Sequence, residues 1–401
     1  LLVICIGGYF LLSGGLSGDG ISDLAPFDTG PVEEFSVQTE QPYVQEEMEY
    51  AEPTRLSETF QGLNAPSGAS STTPGQTWTV MIYQDADDKI LEKDIYIDLN
   101  EAELVGSSER VNIVAQIDRY RGGYQGDGNW TTAKRFYLTA DNNLELIRSR
   151  ELIDLGEVNM GEKDTLVDFV TWTIDNYPAD KYVLILSDHG LGWPGGWTDK
   201  EPRVGVPRNV PLAQTIGPAM YLMDLDEALE DIRAQSGIEA FEVIGLDACL
   251  MGHLEVYTAL TPHSHYAVAS QEVEPSVGWA YAAFLNELVR NPDMGGGELS
   301  RIIVESYIEG DQRIQNPQAR ADFAGKGFFS PTAEQIVAQL EQGMTLAAAD
   351  LSHMPELVES LNEYAYSLQN LDQRRVAQAR TYAQPFTNIF GGRVPPSYID
   401  L

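Results

Sequence analysis

Two short apolar runs constrain this chain more than any other feature of it. Tyr182-Val183-Leu184-Ile185-Leu186 runs straight into Ser187-Asp188-His189-Gly190, and Phe241-Glu242-Val243-Ile244-Gly245-Leu246 runs straight into Asp247-Ala248-Cys249-Leu250-Met251-Gly252. Apolar runs of this length, rich in β-branched residues and closed by polar clusters, read as parallel strands covered on both faces. The point where each run stops is then the carboxyl edge of an open sheet, where α/β folds put their sites. One edge carries a histidine and the other a cysteine.

The rest of the chain agrees with an α/β reading. Trp78–Tyr83 and Val111–Ile117 read as further strands, ending in Asp85-Ala86-Asp87-Asp88 and Asp118-Arg119. Helices are expected over 90–105, 163–176 and 222–235, where Leu222, Leu225, Leu229 and Ile232 share one face. Tyr266–Ser270 reads as another strand, and 135–138 with 144–147 as a hairpin beside the main sheet. Beyond about Gly278 the pattern turns helical, over 281–289, 298–307, 332–346 and 354–379. Strands alternating with helices mean a mostly parallel sheet with helices on both faces.

The expected organisation has four parts. Residues 1–15 are the remnant of a signal or membrane anchor, too short to span a bilayer. Residues 16–76 form an acidic disordered linker, residues 77–290 the catalytic core, and residues 291–401 a mainly helical region that is cut short. The formal net charge of -36 excludes nucleic acid as a partner, because phosphate binding needs basic patches. It fits an extracytoplasmic protein, secreted or anchored to the cell surface by its N-terminal apolar segment. Only two cysteines are present, Cys5 and Cys249, so there is no disulfide framework.

Cys249 sits where a strand gives way to a helix. A thiol there gains from a nearby imidazole or helix N-terminus that favours the thiolate. His189 supplies the imidazole, and Gly190 lets backbone approach a substrate closely. The N–H groups of Gly190 and Cys249 are suitable donors to an oxyanion. A buried inert cysteine and a core histidine are the bland alternatives for each residue taken alone. Together, on matching strand ends, they point to a thiol nucleophile and its base.

Four blocks carry a resemblance: Trp78–Tyr83, Asp98-Leu99-Asn100-Glu101, Ser187–Gly190 and Asp247–Met251. In that order they resemble the clostripain family of cysteine peptidases, caspase-like enzymes of the same broad clan as gingipains, legumains and caspases. The resemblance runs from about Trp78 to the C-terminus. It implies an α/β, caspase-like three-layer fold, a mostly parallel sheet flanked by helices with a helical C-terminal part. It also implies His189 and Cys249 as a catalytic dyad, and cleavage of proteins or peptides after Arg or Lys, Arg preferred. Asp247, two before the cysteine, is linked in that family to recognising the basic side chain. A buried carboxylate beside the dyad would pair with a guanidinium, which agrees. Glu272 and Glu274 could line the same pocket. Val277 stands where the family often has an acid.

The resemblance further implies self-cleavage between His189 and Cys249, with Lys200, Arg203 and Arg208 in the Pro- and Gly-punctuated loop as the expected sites. No cofactor is required by the sequence. Calcium stays open, with Asp85, Asp87 and Asp88 as weak ligands, because that run lacks the Gly and Glu of a calcium loop. His263 and His265 read as loop histidines. A monomer is the expectation. Two alternatives remain: a caspase-like peptidase with a non-basic preference, and an inactive surface-binding module that keeps the dyad as a relic.

Overall fold

The computed structural model describes residues 63–66, 70–199, 218–324, 331–387 and 398–399. Its centre is an eight-stranded sheet in the order β10-β9-β8-β5-β1-β2-β3-β4. Five strands run parallel: β1 (Trp78–Ala86), β2 (Val111–Arg119), β5 (Lys181–Ser187), β8 (Phe241–Asp247) and β9 (Ser264–Ser270). The edges are antiparallel. β3 (Ala133–Tyr137) and β4 (Arg150–Gly156) extend one side, and β10 (Leu346–Asp350) closes the other. A two-stranded ribbon, β6 (Gly195–Gly196) with β7 (Met220–Tyr221), stands apart from the sheet.

Alternation along each strand sends side chains to two separate cores. Val80, Ile82, Ile113, Val183 and Ile185 pack with helix α1 (Glu92–Glu103) and with the helices over Tyr281–Arg290 and Gly296–Ser306. Met81, Tyr83, Val114, Leu184 and Leu186 pack on the opposite face, with α2 (Lys163–Asn176) and α3 (Leu222–Ser236). The result is three layers, helix–sheet–helix. Leu225, Leu229 and Ile232 of α3 are fully buried, so its expected apolar face is its packed face.

Four expectations need correction. The second hairpin strand is 150–156, not 144–147. Asn143 Oδ1 accepts the N–H groups of Glu145 and Leu146, holding that stretch in a turn. The expected helix over 332–346 stops at Leu340, and 346–350 pairs with β9 instead. The helix expected over 354–379 is two, Met354–Gln369 and Gln373–Arg380. Residue 290 is not a break in packing, since Leu299 and Ile303 share a core with Trp78 and Phe284.

Residues 70–76, placed in the linker, are tied down at both ends, with 71–75 exposed between them. Gln76 is buried and its Nε2 donates to the carbonyls of Pro292 (2.8 Å) and Met294 (2.7 Å). Ser70 Oγ donates to Glu242, which itself pairs with Lys181 at 2.6 Å. Among the described residues no helix is long and apolar enough to cross a membrane. Residues 1–62, which include Cys5 and the expected anchor, lie outside them.

Candidate active site

The chain order β1, β2, β3, β4 runs outward to one side, and β5, β8, β9 then build the other. The switch falls between β1 and β5, where connections leave in opposite directions and open a crevice at the carboxyl edge. β5 and β8 pair in parallel with Ser187 opposite Asp247. His189 and Cys249 therefore leave the sheet two residues beyond the same rung.

The two turns are in close contact. A Cβ on Gly190 would run into the carbonyl oxygen of Cys249, so only glycine fits there. The ribbon braces the other side of the His189 turn: Trp197 N–H donates to His189 O at 3.0 Å, and Gly190 bridges to Gly196. Trp197 and Leu250 both hold positive φ, at 54° and 63°. Each bulky residue in the left-handed region costs on the order of 1–3 kcal/mol, a strain that clusters at functional turns. Leu250 directly follows the thiol, and its N–H donates to Glu272 O at 3.2 Å.

Asp88 contacts His189, with Oδ1 3.3 Å from Nε2. The same oxygen accepts the N–H groups of Ile90 (2.7 Å) and Leu91 (3.0 Å). Burial opposes ionisation of Asp88, yet the hydrogen bond and charge of His189 and the two N–H groups outweigh it. The carboxyl is held well below the usual range. Sequence reading had Asp88 only as a weak metal ligand, with Asp85 and Asp87. The three do not share one loop site: Asp88 turns to His189, while Asp85 lies in register with Asp118 of β2.

A narrow cleft opens beside Cys249, with a free volume of about 20 Å³. Asp98, Asp188, Asp247 and Glu274 are among the residues lining it. Asp247 Oδ2 accepts from Tyr281 Oη at 2.9 Å. Burial pushes the Asp247 carboxyl up to about 6, against the bonds it makes to Tyr281, Glu274 and the Trp279 N–H. Burial also pushes the Asp98 carboxyl up, and Arg313 works against that. Arg313 is itself buried and pairs with Asp98 and Asp311, the latter at 2.6 Å. Among the described residues, Asp98, Glu101 and Asp311 have oxygens close enough to hold a metal ion. The Arg313 guanidinium already supplies the positive charge there.

Glu272 is not in this cleft. Its carboxylate accepts the N–H groups of Val273 (2.9 Å) and Thr387 (3.0 Å), which turn it toward the C-terminal segment. That segment covers the thiol. Cys249 is only 1% exposed and packs with Leu250 and Tyr398, and the Tyr398 hydroxyl donates to Leu191 O. Phe386 N–H donates to Tyr398 O at 2.9 Å and Pro385 bridges to Ile399, pairing the two described stretches of that segment. His263 contacts Asp226 (2.8 Å) and Arg233 (3.3 Å), as a structural histidine would. Lys200, Arg203 and Arg208 lie outside the described residues.

Asp88, Arg313 and the Tyr398 cover were missed from sequence. The acids closing β1 were a visible signal for the first. Nothing local marks Arg313 or Tyr398 as neighbours of residues far away in the chain.

Comparisons with known proteins place this geometry in context. Residues 82–390 match the clostripain family. The chain is 26% identical over 270 residues to clostripain of Hathewaya histolytica, covering 62% of this chain and 48% of that protein. It thus spans about half the length of the curated relative it matches. It is similar to the structure of a secreted C11 cysteine protease from Bacteroides thetaiotaomicron bound to an irreversible peptide inhibitor. That match has 20% identity and a TM-score of 0.46, over 69% of this chain and 67% of that one. An inactive zymogen C11 protease from Parabacteroides distasonis matches at 20% identity and a TM-score of 0.43, over 59% of this chain and 60% of that one.

Proposed function

From the premise that this chain belongs to the clostripain family, we propose that it is a cysteine endopeptidase that cuts peptide bonds after arginine or lysine. The carrying observation is the pairing of Ser187 with Asp247, which sends His189 and Cys249 off neighbouring parallel strands at one level, beside a carboxyl-lined cleft.

In this reading His189 takes the proton from Cys249 Sγ, and the sulfur attacks the scissile carbonyl carbon. The N–H groups of Gly190 and Cys249 donate to the resulting oxyanion. Collapse breaks the C–N bond, and His189 gives its proton to the departing amine. Water, deprotonated by the same imidazole, then hydrolyses the thioester and restores the thiol. Asp88 holds the imidazole in place. Asp247 and Glu274 pair with the guanidinium or ammonium of the substrate, a charge-assisted contact that buried carboxylates make strong.

Two finer readings accompany this one. The enzyme processes itself between β6 and β7, at Lys200, Arg203 or Arg208. It works outside the cytoplasm, in keeping with the secreted C11 cysteine protease of Bacteroides thetaiotaomicron that it resembles. The cleft beside Cys249 has a free volume of about 20 Å³, room for about one water, which supports an opening step before a long side chain enters.

The test sets purified wild-type protein beside Cys249→Ala on fluorogenic peptides with Arg, Lys, Leu or Asp before the scissile bond, with mass spectrometry of both proteins. Cleavage after Arg and Lys by wild type alone, with fragments of the wild-type chain alone, is expected. Equal cleavage by Cys249→Ala would remove the thiol mechanism. A preference for Leu or Asp would remove the basic specificity.

A further inference from the structure

Tyr398 is held between the two turns of the candidate site much as a ligand would be. Its side chain is buried, and its hydroxyl donates to Leu191 O on the His189 turn. Its ring packs with Cys249 and Leu250 on the other turn. Gly192 leaves room for it: a Cβ there would lie 3.1 Å from both Cζ and Oη of Tyr398. The His253 ring closes one side, edge-on, with centroids 4.5 Å apart and planes at 64°. Val273 and Phe386 pack around the same cluster. Burial pushes the Tyr398 hydroxyl pKa up, so the group stays a donor throughout the neutral range.

This seat adjoins the acidic cleft, because Cys249 belongs to both. It lines the cleft with Asp247 and Glu274, and it packs in the apolar cluster with Tyr398. At 1% exposure the thiol is out of reach of a peptide carbonyl while Tyr398 is in place. The reaction therefore needs the tyrosine to leave. Its departure uncovers an apolar hollow beside the nucleophile, with the Leu191 carbonyl as an acceptor in its wall. Apolar surface of that kind gains from being covered again, and the carbonyl gains from a new donor. The attachments of Tyr398 suit such a departure. Pro385–Thr387 and Tyr398–Ile399 lie outside the main sheet, tied to each other and, through Thr387 N–H, to Glu272, so their release breaks none of its ladders.

We propose that the seat of Tyr398 is a second substrate subsite, which takes an aromatic side chain, tyrosine above phenylalanine, from a residue adjoining the basic one in the peptide. This rests on the peptidase reading above. Successive side chains of an extended peptide project to opposite sides, so a residue whose basic side chain enters the cleft turns its neighbour's side chain out of it. The neighbour then replaces Tyr398: its ring lies against His253 and Leu250, and its hydroxyl donates to Leu191 O. No bond is made or broken in the subsite, and the chemistry at Cys249 is unchanged. Tyr398 competes with the substrate for the seat, so a peptide without an aromatic neighbour has less with which to displace it.

The test has two arms, the first independent of catalysis. Cys249 of Tyr398→Ala protein is alkylated with iodoacetamide, alone and with N-acetyltyrosinamide, N-acetylphenylalaninamide or N-acetylalaninamide at equal concentrations. The tyrosine amide at twice its Kd should refill the seat and slow alkylation about threefold, the phenylalanine amide less and the alanine amide not at all. Equal slowing by the alanine amide, or none by the tyrosine amide, would overturn the proposal. In the second arm, parent and His253→Ala proteins cut peptides with Arg before the scissile bond and Tyr, Phe or Gly at the position before Arg or after the bond. Tyr at one of these positions should raise kcat/KM at least about tenfold over Gly, with Phe between them, and His253→Ala should bring that ratio to within about twofold. The share of folded enzyme cancels in the ratio. A ratio near one at both positions, with cleavage after Arg intact, would remove the subsite alone. Failure to cut any of the peptides would remove the peptidase reading and the subsite with it.

Discussion

His189 and Asp88, 101 positions apart in the chain, meet at 3.3 Å across the β1/β5 crevice. The carboxylate reaches Nε2 while fixed by two N–H groups of its own turn, so it restricts the ring without needing a long side chain of its own. Asp88→Asn should lower kcat roughly 10- to 100-fold with KM nearly unchanged, the usual scale for groups that orient a functional imidazole. The acid limb of its kcat–pH profile should also move. A purely structural role would lower the amount of folded enzyme and leave that profile in place.

Gly190 tests how closely the two turns must approach. A methyl there meets the Cys249 carbonyl, which is backbone and cannot swing aside. Gly190→Ala should cut kcat/KM by about 10²-fold or more, because displacements near 1 Å have that effect on aligned groups. Circular dichroism should stay that of the parent. Retained activity would mean that the turns separate at little cost.

Asp247 links specificity to pH. Its carboxyl is pushed up to about 6 by burial, so it is neutral below that value and charged above it. Only the charged form attracts a guanidinium. The ratio of kcat/KM for an Arg substrate to that for its uncharged isostere should therefore fall as pH drops through about 6. Taking the ratio cancels titration of the dyad. Asp247→Asn should remove this dependence and lower the Arg rate by about 30-fold or more, as expected for loss of a buried charge pair.

Arg313 holds the fold under the same pocket. It is 3% exposed and pairs with Asp98 and Asp311. Arg313→Met leaves those acids without their cation and should cost about 3–5 kcal/mol in urea unfolding. The loss should shrink at low pH, where Asp98, its carboxyl pushed up by burial, is neutral. A loss independent of pH would assign Arg313 a packing role alone.

Tyr398 covers the thiol and bonds Leu191. Tyr398→Ala should speed alkylation of Cys249 by iodoacetamide severalfold in protein whose Tm is little changed. An unaltered rate would place the barrier to the thiol elsewhere.

Much of this architecture is written locally. Tyr182–Leu186 and Phe241–Leu246 are strands because their apolar side chains need cover on both faces, and that same need fixes where they stop. Alternation carries further than strand identity. Given the faces of Leu184 and Leu186, the side of Asp188 follows, and so does the contrast with Asp247. Leu346-Ala347-Ala348-Ala349-Asp350 shows the limit. Its alanines favour helix, yet it lies extended because β9 offers an unpaired edge whose N–H and C=O groups it satisfies.

What the sequence determined by itself was the set of elements and the two residues, His189 and Cys249, at strand ends. Tertiary structure decided which strands became neighbours, and hence which distant residues met: Asp88 with His189, Asp98 and Glu274 with Asp247, and Tyr398 with Cys249. Local propensity acts over a few residues, whereas these contacts exist only once the sheet has ordered its strands and brought together segments up to 149 positions apart.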